Sequence, residues 1–226
     1  MMQKKLSLLF KALFKGIMGL LVMMLLLFLP AGTLQYRGAW LLLVILFVPM
    51  MAMGIVMYLK SPELLQRRLQ SKEDRTTQQG VIKYSALLFV AGFVVAGLDY
   101  RLGWTAVPQW LVGVCALLFL VGYGLYAEVM RENVWLSRTI HVESKQQVIS
   151  TGLYGIVRHP MYTATLLMFL SMPLVLGSYC AAIIFLFYIP IIVRRIFDEE
   201  SLLRNELQGY VAYCNKVRWR LIPFVW

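Results

Sequence analysis

Residues 150–200 read STGLYGIVRHPMYTATLLMFLSMPLVLGSYCAAIIFLFYIPIIVRRIFDEE, a polar stretch, a long apolar one and a second polar one. The first of these packs an arginine, a histidine, two tyrosines and a proline into STGLYGIVRHPMY. The apolar run over 163–193 is broken only near 176–178, and Arg194, Arg195, Asp198, Glu199 and Glu200 follow it. This pattern predicts a helical hairpin flanked by polar clusters. If the hairpin crosses a bilayer and returns, its ends meet on one face, with Arg158, His159 and Tyr162 beside Arg195, Glu199 and Glu200.

The rest of the chain puts that hairpin in a membrane. Of 226 residues, 60% are apolar and the mean hydropathy is +0.71, whereas soluble domains average about 45–50% apolar. A hydrocarbon core of about 30 Å takes about 20 apolar residues per helix. Apolar runs occur at 16–32, 39–59, 84–98, 109–127, 163–176 and 179–193, the last two short, so five or six spans are expected. The expected fold class is therefore an all-α, multi-pass transmembrane helical bundle. Residues 1–130 form a four-span scaffold with an interfacial helix near 61–72. Residues 131–226 comprise a polar segment (131–162), the hairpin (163–193) and a tail (194–226), and the segment before the hairpin folds with the tail into a subdomain on one face.

Lys4, Lys5, Lys11 and Lys15 precede the first run as in a signal peptide, but the run is long for one and lacks a clear small-residue cleavage site. With six spans the N-terminus, the 60–83 loop, the 131–158 loop and the tail share a face and carry every Lys and Arg except Arg37 and Arg101. Basic residues accumulate on the cytoplasmic side, so both termini are expected there, in the inner membrane of a bacterium. Topology and contact with anionic headgroups account for the net charge of +11 without nucleic acid. Cys115, Cys180 and Cys214 show no metal-like spacing and no disulfide framework, which makes them packing residues.

Along the chain, Pro49 falls inside the second span and is expected to kink it. The loop KSPELLQRRLQSKEDRTTQQG (60–80) starts like a helix, with Ser61 as cap, Pro62 in the first turn and Glu63 suiting the dipole. Leu64, Leu65, Leu69, Arg67 and Arg68 make it amphipathic and suited to the interface. Gly92, Gly97, Gly113, Gly122 and Gly124 allow close helix approach, and Asp99 is expected to pair with Arg101 or water. His141 is assigned no role. Pro160 holds His159 in an extended conformation and suits a first helical turn. Two readings of Arg158-His159-Pro160 stand level: an anion-favouring helix start, or a basic membrane-boundary anchor with Tyr162 in the aromatic belt. Arg195 and Glu199, at i and i+4, share a helix face that would offer a cation beside an anion.

Gly152, Tyr154, Arg158-His159-Pro160, Tyr162, Glu199-Glu200, Tyr210, Tyr213, Val217, Arg218 and Leu221-Ile222-Pro223 together resemble the C-terminal half of the isoprenylcysteine carboxyl methyltransferase family, over roughly 133–226. Related membrane methyltransferases act on phospholipid amines. The resemblance implies methyl transfer from S-adenosylmethionine, in a cytoplasmic cofactor-binding subdomain, to a lipophilic or amphipathic acceptor entering from the membrane lipids. It implies cofactor contacts at Gln146, Gln147, Val148, Ile149, Tyr154, His159, Pro160, Tyr162, Glu199 and Glu200, a substrate-engaging Arg195 as catalytic residue, and no metal. Leu153 stands where the family has proline, Ala164 where it usually has glycine, and Gln146 where eukaryotic relatives have histidine. The rival resemblance is to NADPH-dependent sterol reductases, which share an RHPxY segment and a tail like Tyr213-Cys214 with Val217 to Pro223.

Overall fold

The computed structural model describes residues 2–69, 76–136, 142–143 and 146–226. The described chain is helical, with α1 (Met2–Ala31), α2 (Arg37–Lys60), α3 (Pro62–Leu69), α4 (Thr76–Leu102) and α5 (Gln109–Glu132) in the first half. A 3-10 turn (Gly152–Gly155), α6 (Pro160–Val175), α7 (Tyr179–Leu186), α8 (Tyr188–Glu206) and α9 (Tyr210–Lys216) follow. His141 and residues 70–72 of the expected interfacial helix lie outside the described residues.

Among the described residues five helices are long and apolar enough to cross a membrane: Leu6–Ala31, Arg37–Lys60, Gln79–Leu102, Gln109–Glu132 and Tyr179–Glu206. Their lipid-side surface is a belt of exposed large apolar groups, among them Phe14, Leu21, Leu25, Val44, Val48, Leu117 and Ile183. The fold is a multi-pass membrane bundle. Of the sixth expected span, α6 has 16 residues, about 24 Å of helix, short of a 30 Å core. Its composition is apolar, but Ala164, Met168, Met172 and Val175 are buried against the other helices.

The last run also differs from the expected 179–193. Pro190 has no N–H to offer the Leu186 carbonyl and its ring crowds that group, so the helix breaks at Phe187 and resumes as α8. It then runs on to Glu206, so Arg195, Glu199 and Glu200 stand on rigid helix and not on a loose tail.

Packing in lipid depends on close approach and dispersion, since lipid is as apolar as the side chains. Gly122 lets α5 sit on α6; a Cβ there would come 2.7 Å from Met168 and 3.1 Å from the Ala164 carbonyl. Gly97 does the same for α4 against the Leu27 carbonyl of α1, but Gly113 and Gly124 face open space and do not serve as contact points. Phe89 sets its ring edge-on to Phe169, Phe185 and Tyr188 at 4.8–5.8 Å and so knits α4 to α6, α7 and α8; each such contact adds about 0.5–1.5 kcal/mol.

The two ends of the bundle are finished differently. At one end Asp99, expected to pair with Arg101 or with water, is buried and bonds to other protein groups instead. It accepts hydrogen bonds from the Thr105 N–H (2.7 Å), the Thr105 hydroxyl and the Ser178 hydroxyl, and Ser178 also caps α7 through the Ala181 N–H. At the other end α3 buries Leu64 and Leu65. Its Arg67 donates to the Val134 carbonyl and pairs with Glu143 at 3.0 Å, so α3 is tied to the segment after α5.

Candidate active site

The hairpin ends meet, as the polar–apolar–polar pattern requires. His159 precedes α6 outside helical geometry (φ −125°, ψ 59°), with Pro160 in the first turn. The tail then pairs with this corner: the Arg158 and His159 N–H groups donate to the Trp219 and Arg220 carbonyls at 2.8 and 2.9 Å, and the Thr163 hydroxyl donates to the Leu221 carbonyl. A segment remote in sequence thereby holds Arg158 and His159 in place.

Two carboxylates one residue apart then face different surroundings. Glu200 points inward and is buried. It accepts from Arg158 Nε at 2.8 Å and Arg220 Nε at 3.3 Å, lies 3.3 Å from His159 Nε2, and has Arg204 at 3.8 Å. Glu199, about 100° further round the helix face, accepts a hydrogen bond from the Tyr162 hydroxyl, which in turn accepts from Arg195 Nε at 2.9 Å. Arg195, Tyr162 and Glu199 therefore form one chain, with the guanidinium 5.9 Å from the Tyr162 ring centre.

This chain borders an open pocket of about 850 Å³, solvent at its mouth included. Of the residues expected at a site, Gln146, Gln147, Val148, Ile149, Tyr154, His159, Tyr162, Arg195 and Glu199 line it; Pro160 and Glu200 do not. Pro160 shapes the turn into α6, and Glu200 braces Arg158 and His159 from behind. The irregular segment 146–149 forms one wall. Leu203 of α8, Leu207 just beyond it, and Tyr210 and Tyr213 of α9 line the pocket too, with Val148 packed against them.

Sequence reasoning brought Arg158 to the site without a ligand role and assigned none to Asn133, Trp135, Tyr210 or Tyr213, all of which line the pocket. The i, i+3 spacing of Tyr210 and Tyr213 on a helix was the available signal for the last two. Asn133 donates to the Tyr154 hydroxyl (2.8 Å), and the Tyr213 hydroxyl donates to the Tyr154 carbonyl (2.7 Å), so Tyr154 is held from two sides. Gly152 is required beside it: its φ is +51° and a Cβ would occupy the place of the Glu132 carboxylate, which accepts the Leu153 N–H. Burial pushes the phenols of Tyr154, Tyr210 and Tyr213 above their ordinary value, so all three are neutral hydrogen-bonding groups. Among the described residues no cluster of three His, Cys, Asp or Glu could hold a metal, and Cys115, Cys180 and Cys214 are free thiols.

Residues 110–208 match the model of the phospholipid methyltransferase family. The matched segment carries Tyr154, His159, Tyr162, Arg195 and Glu199, whereas Tyr210 and Tyr213 lie beyond it. A 91-residue segment is 32% identical to the delta(14)-sterol reductase TM7SF2 of Mus musculus, over 39% of this chain and 22% of that protein. The chain thus spans about a fifth of that relative's length. A solved structure of the eukaryotic intramembrane Ras methyltransferase ICMT (isoprenylcysteine carboxyl methyltransferase) aligns over 94% of this chain and 84% of that one, with 16% identity and a TM-score of 0.46.

Proposed function

We propose that this protein transfers a methyl group from S-adenosylmethionine to a lipophilic or amphipathic acceptor, a carboxylate being one such group. The observation that carries the reading is the Arg195–Tyr162–Glu199 chain at a pocket lined largely by the segment that matches the family model. One wall offers a cation, a neutral phenol and an anion; the others offer tyrosine rings and aliphatic groups. That donor set fits a ligand with an ammonium, a carboxylate and a flat heterocycle.

In this reading Glu199 holds the ammonium or the ribose, the rings of Tyr154 and Tyr162 face the sulfonium, and His159 serves the carboxylate or a hydroxyl. Gln146, Gln147, Val148 and Ile149 supply the facing wall. Pro160 and Glu200 act indirectly, by fixing His159 and Arg158. Arg195 grips the acceptor; a guanidinium can bind a carboxylate bidentately and orient its lone pair. Transfer consists of a new bond from that lone pair to the methyl carbon as the carbon–sulfur bond breaks and its electrons stay on sulfur, the chemistry S-adenosylmethionine supplies when bound. Such a displacement needs placement more than proton transfer, and a rigid helix bearing both Arg195 and Glu199 provides it. The basic face that holds the pocket is cytoplasmic in this reading.

The segment similar to a sterol reductase supports a second reading, an NADPH-dependent reductase in the same pocket. Against it, Glu200 already engages Arg158, an arginine of the pocket lining that could otherwise hold a 2′-phosphate. Calorimetric titration of the detergent-purified protein with S-adenosylhomocysteine and, in parallel, with NADPH separates the two. Binding of the first alone is expected; binding of NADPH alone would overturn the methyltransferase reading.

A further inference from the structure

Tyr210 is 4% exposed and lines the pocket, and its hydroxyl is the buried side-chain polar atom without a hydrogen-bond partner among the described residues. Several other buried phenols are satisfied. Tyr36 donates to the Leu176 carbonyl, Tyr162 joins Arg195 to Glu199, and Tyr213 reaches the Tyr154 carbonyl. Buried polar groups are paired in the great majority of cases, so an orphan at a pocket wall points to a partner that arrives with the ligand.

The surroundings indicate which part of a ligand that is. Tyr210 belongs to a cluster with Leu207, Tyr213, Cys214 and Val217, against which Val142, Val148 and Leu203 pack, and the Tyr213 ring lies 5.7 Å away, tilted by 48°. Of the charged pocket groups, Arg158 is already paired with Glu200, and the charge offered to a ligand lies at Arg195 and Glu199. Gly209, with φ +86°, turns the chain from α8 into α9 and so delivers Tyr210 to this apolar corner. A flat heterocycle suits the corner, and an ionic group does not. Burial keeps the phenol protonated, leaving it one donor and acceptor capacity.

We propose that the Tyr210 hydroxyl hydrogen-bonds an uncharged polar atom on the nucleoside half of the pocket's ligand, positioning it while Glu199 holds the charged half. This rests on the methyltransferase reading above. It assigns a ligand contact to a residue beyond the segment that matches the family.

The test is calorimetric titration of the full-length, detergent-purified wild type and Tyr210→Phe with S-adenosylhomocysteine and with 5′-methylthioadenosine, which lacks the amino-acid half. The unliganded melting temperature is read alongside. The variant is expected to bind both ligands about five- to tenfold more weakly, the worth of one neutral hydrogen bond. Its unliganded melting temperature is expected to be equal or higher, because an unpaired buried hydroxyl has been removed. Unchanged affinity for S-adenosylhomocysteine overturns the proposal. So does a loss confined to S-adenosylhomocysteine, which would place the contact on the amino-acid half, or a loss accompanied by a fall in melting temperature, which would make the role structural. A wild type that binds neither ligand defeats the methyltransferase reading itself.

Discussion

Asp99 and Glu200 are both buried carboxylates, at opposite ends of the same bundle, and their partners differ in kind. Asp99 is held by neutral donors, an N–H and two hydroxyls from Thr105 and Ser178, which stitch the end of α4 to the following loop and to the start of α7. Glu200 is held by the side chains of Arg158, Arg220 and His159, with Arg204 further out, and these come from the corner before α6, the tail and α8 itself. The first arrangement finishes a turn. The second assembles parts of the chain far apart in sequence behind a pocket, and it concentrates charge there. A buried carboxylate thus says little by its presence; its partners tell whether it closes a loop or braces a site.

Substitutions can test how far that contrast reaches. Glu200→Ala leaves Arg158, whose side chain is 5% exposed, without its carboxylate, and a loss of about 3–5 kcal/mol is expected in thermal unfolding in detergent. Replacing Arg158 and Glu200 together with Met should recover much of it, and no recovery would mean that Glu200 does more than neutralise arginine. Glu199→Ala should leave the melting temperature nearly unchanged and weaken S-adenosylhomocysteine binding about ten- to hundredfold, the worth of a charged hydrogen bond. Wild-type affinity in that variant would remove Glu199 from the ligand. Arg195→Ala should lower turnover by about tenfold or more with cofactor affinity retained; collapse of cofactor binding would reassign the arginine.

Asp99→Ala strands three donors and should cost about 1–3 kcal/mol, with S-adenosylhomocysteine affinity unaltered. Altered affinity would show that the two ends are coupled. The smallest effect expected is with pH. The phenols of Tyr154, Tyr210 and Tyr213 are raised by burial, so folded protein keeps protons that the unfolded chain releases near pH 10. These groups therefore leave stability level below about pH 10 and reduce it as pH rises beyond, which unfolding midpoints and the ultraviolet phenolate band can follow together.

Much of the candidate site's arrangement was legible because it lies on helix ends with strong local signals. His159 before Pro160, and Arg195 with Glu199 at i and i+4, can be placed from spacing alone, and the hairpin brings them together. Gln146 to Ile149 came only from the family resemblance, since an irregular segment has no period to read. The separate orientations of Glu199 and Glu200 followed from helical geometry, but that Glu200 would be buried under three arginines did not, because Arg220 arrives from the tail. Asp99 was misjudged for a similar reason. Arg101 is its neighbour in sequence, whereas Ser178, its actual partner, is brought in by tertiary packing.

The sequence by itself determined the membrane class, the helix-rich bundle and the meeting of two polar clusters, since hydropathy and helical period act over short stretches and need no distant partner. Tertiary structure alone decided which of those polar groups face a pocket. Return of the tail pairs Trp219 and Arg220 with Arg158 and His159, sets Arg220 on Glu200, and carries Tyr210 into a wall where its hydroxyl finds no partner. Those outcomes depend on which buried charges and hydrogen-bonding groups can satisfy one another in three dimensions, and residues distant along the chain settle that competition.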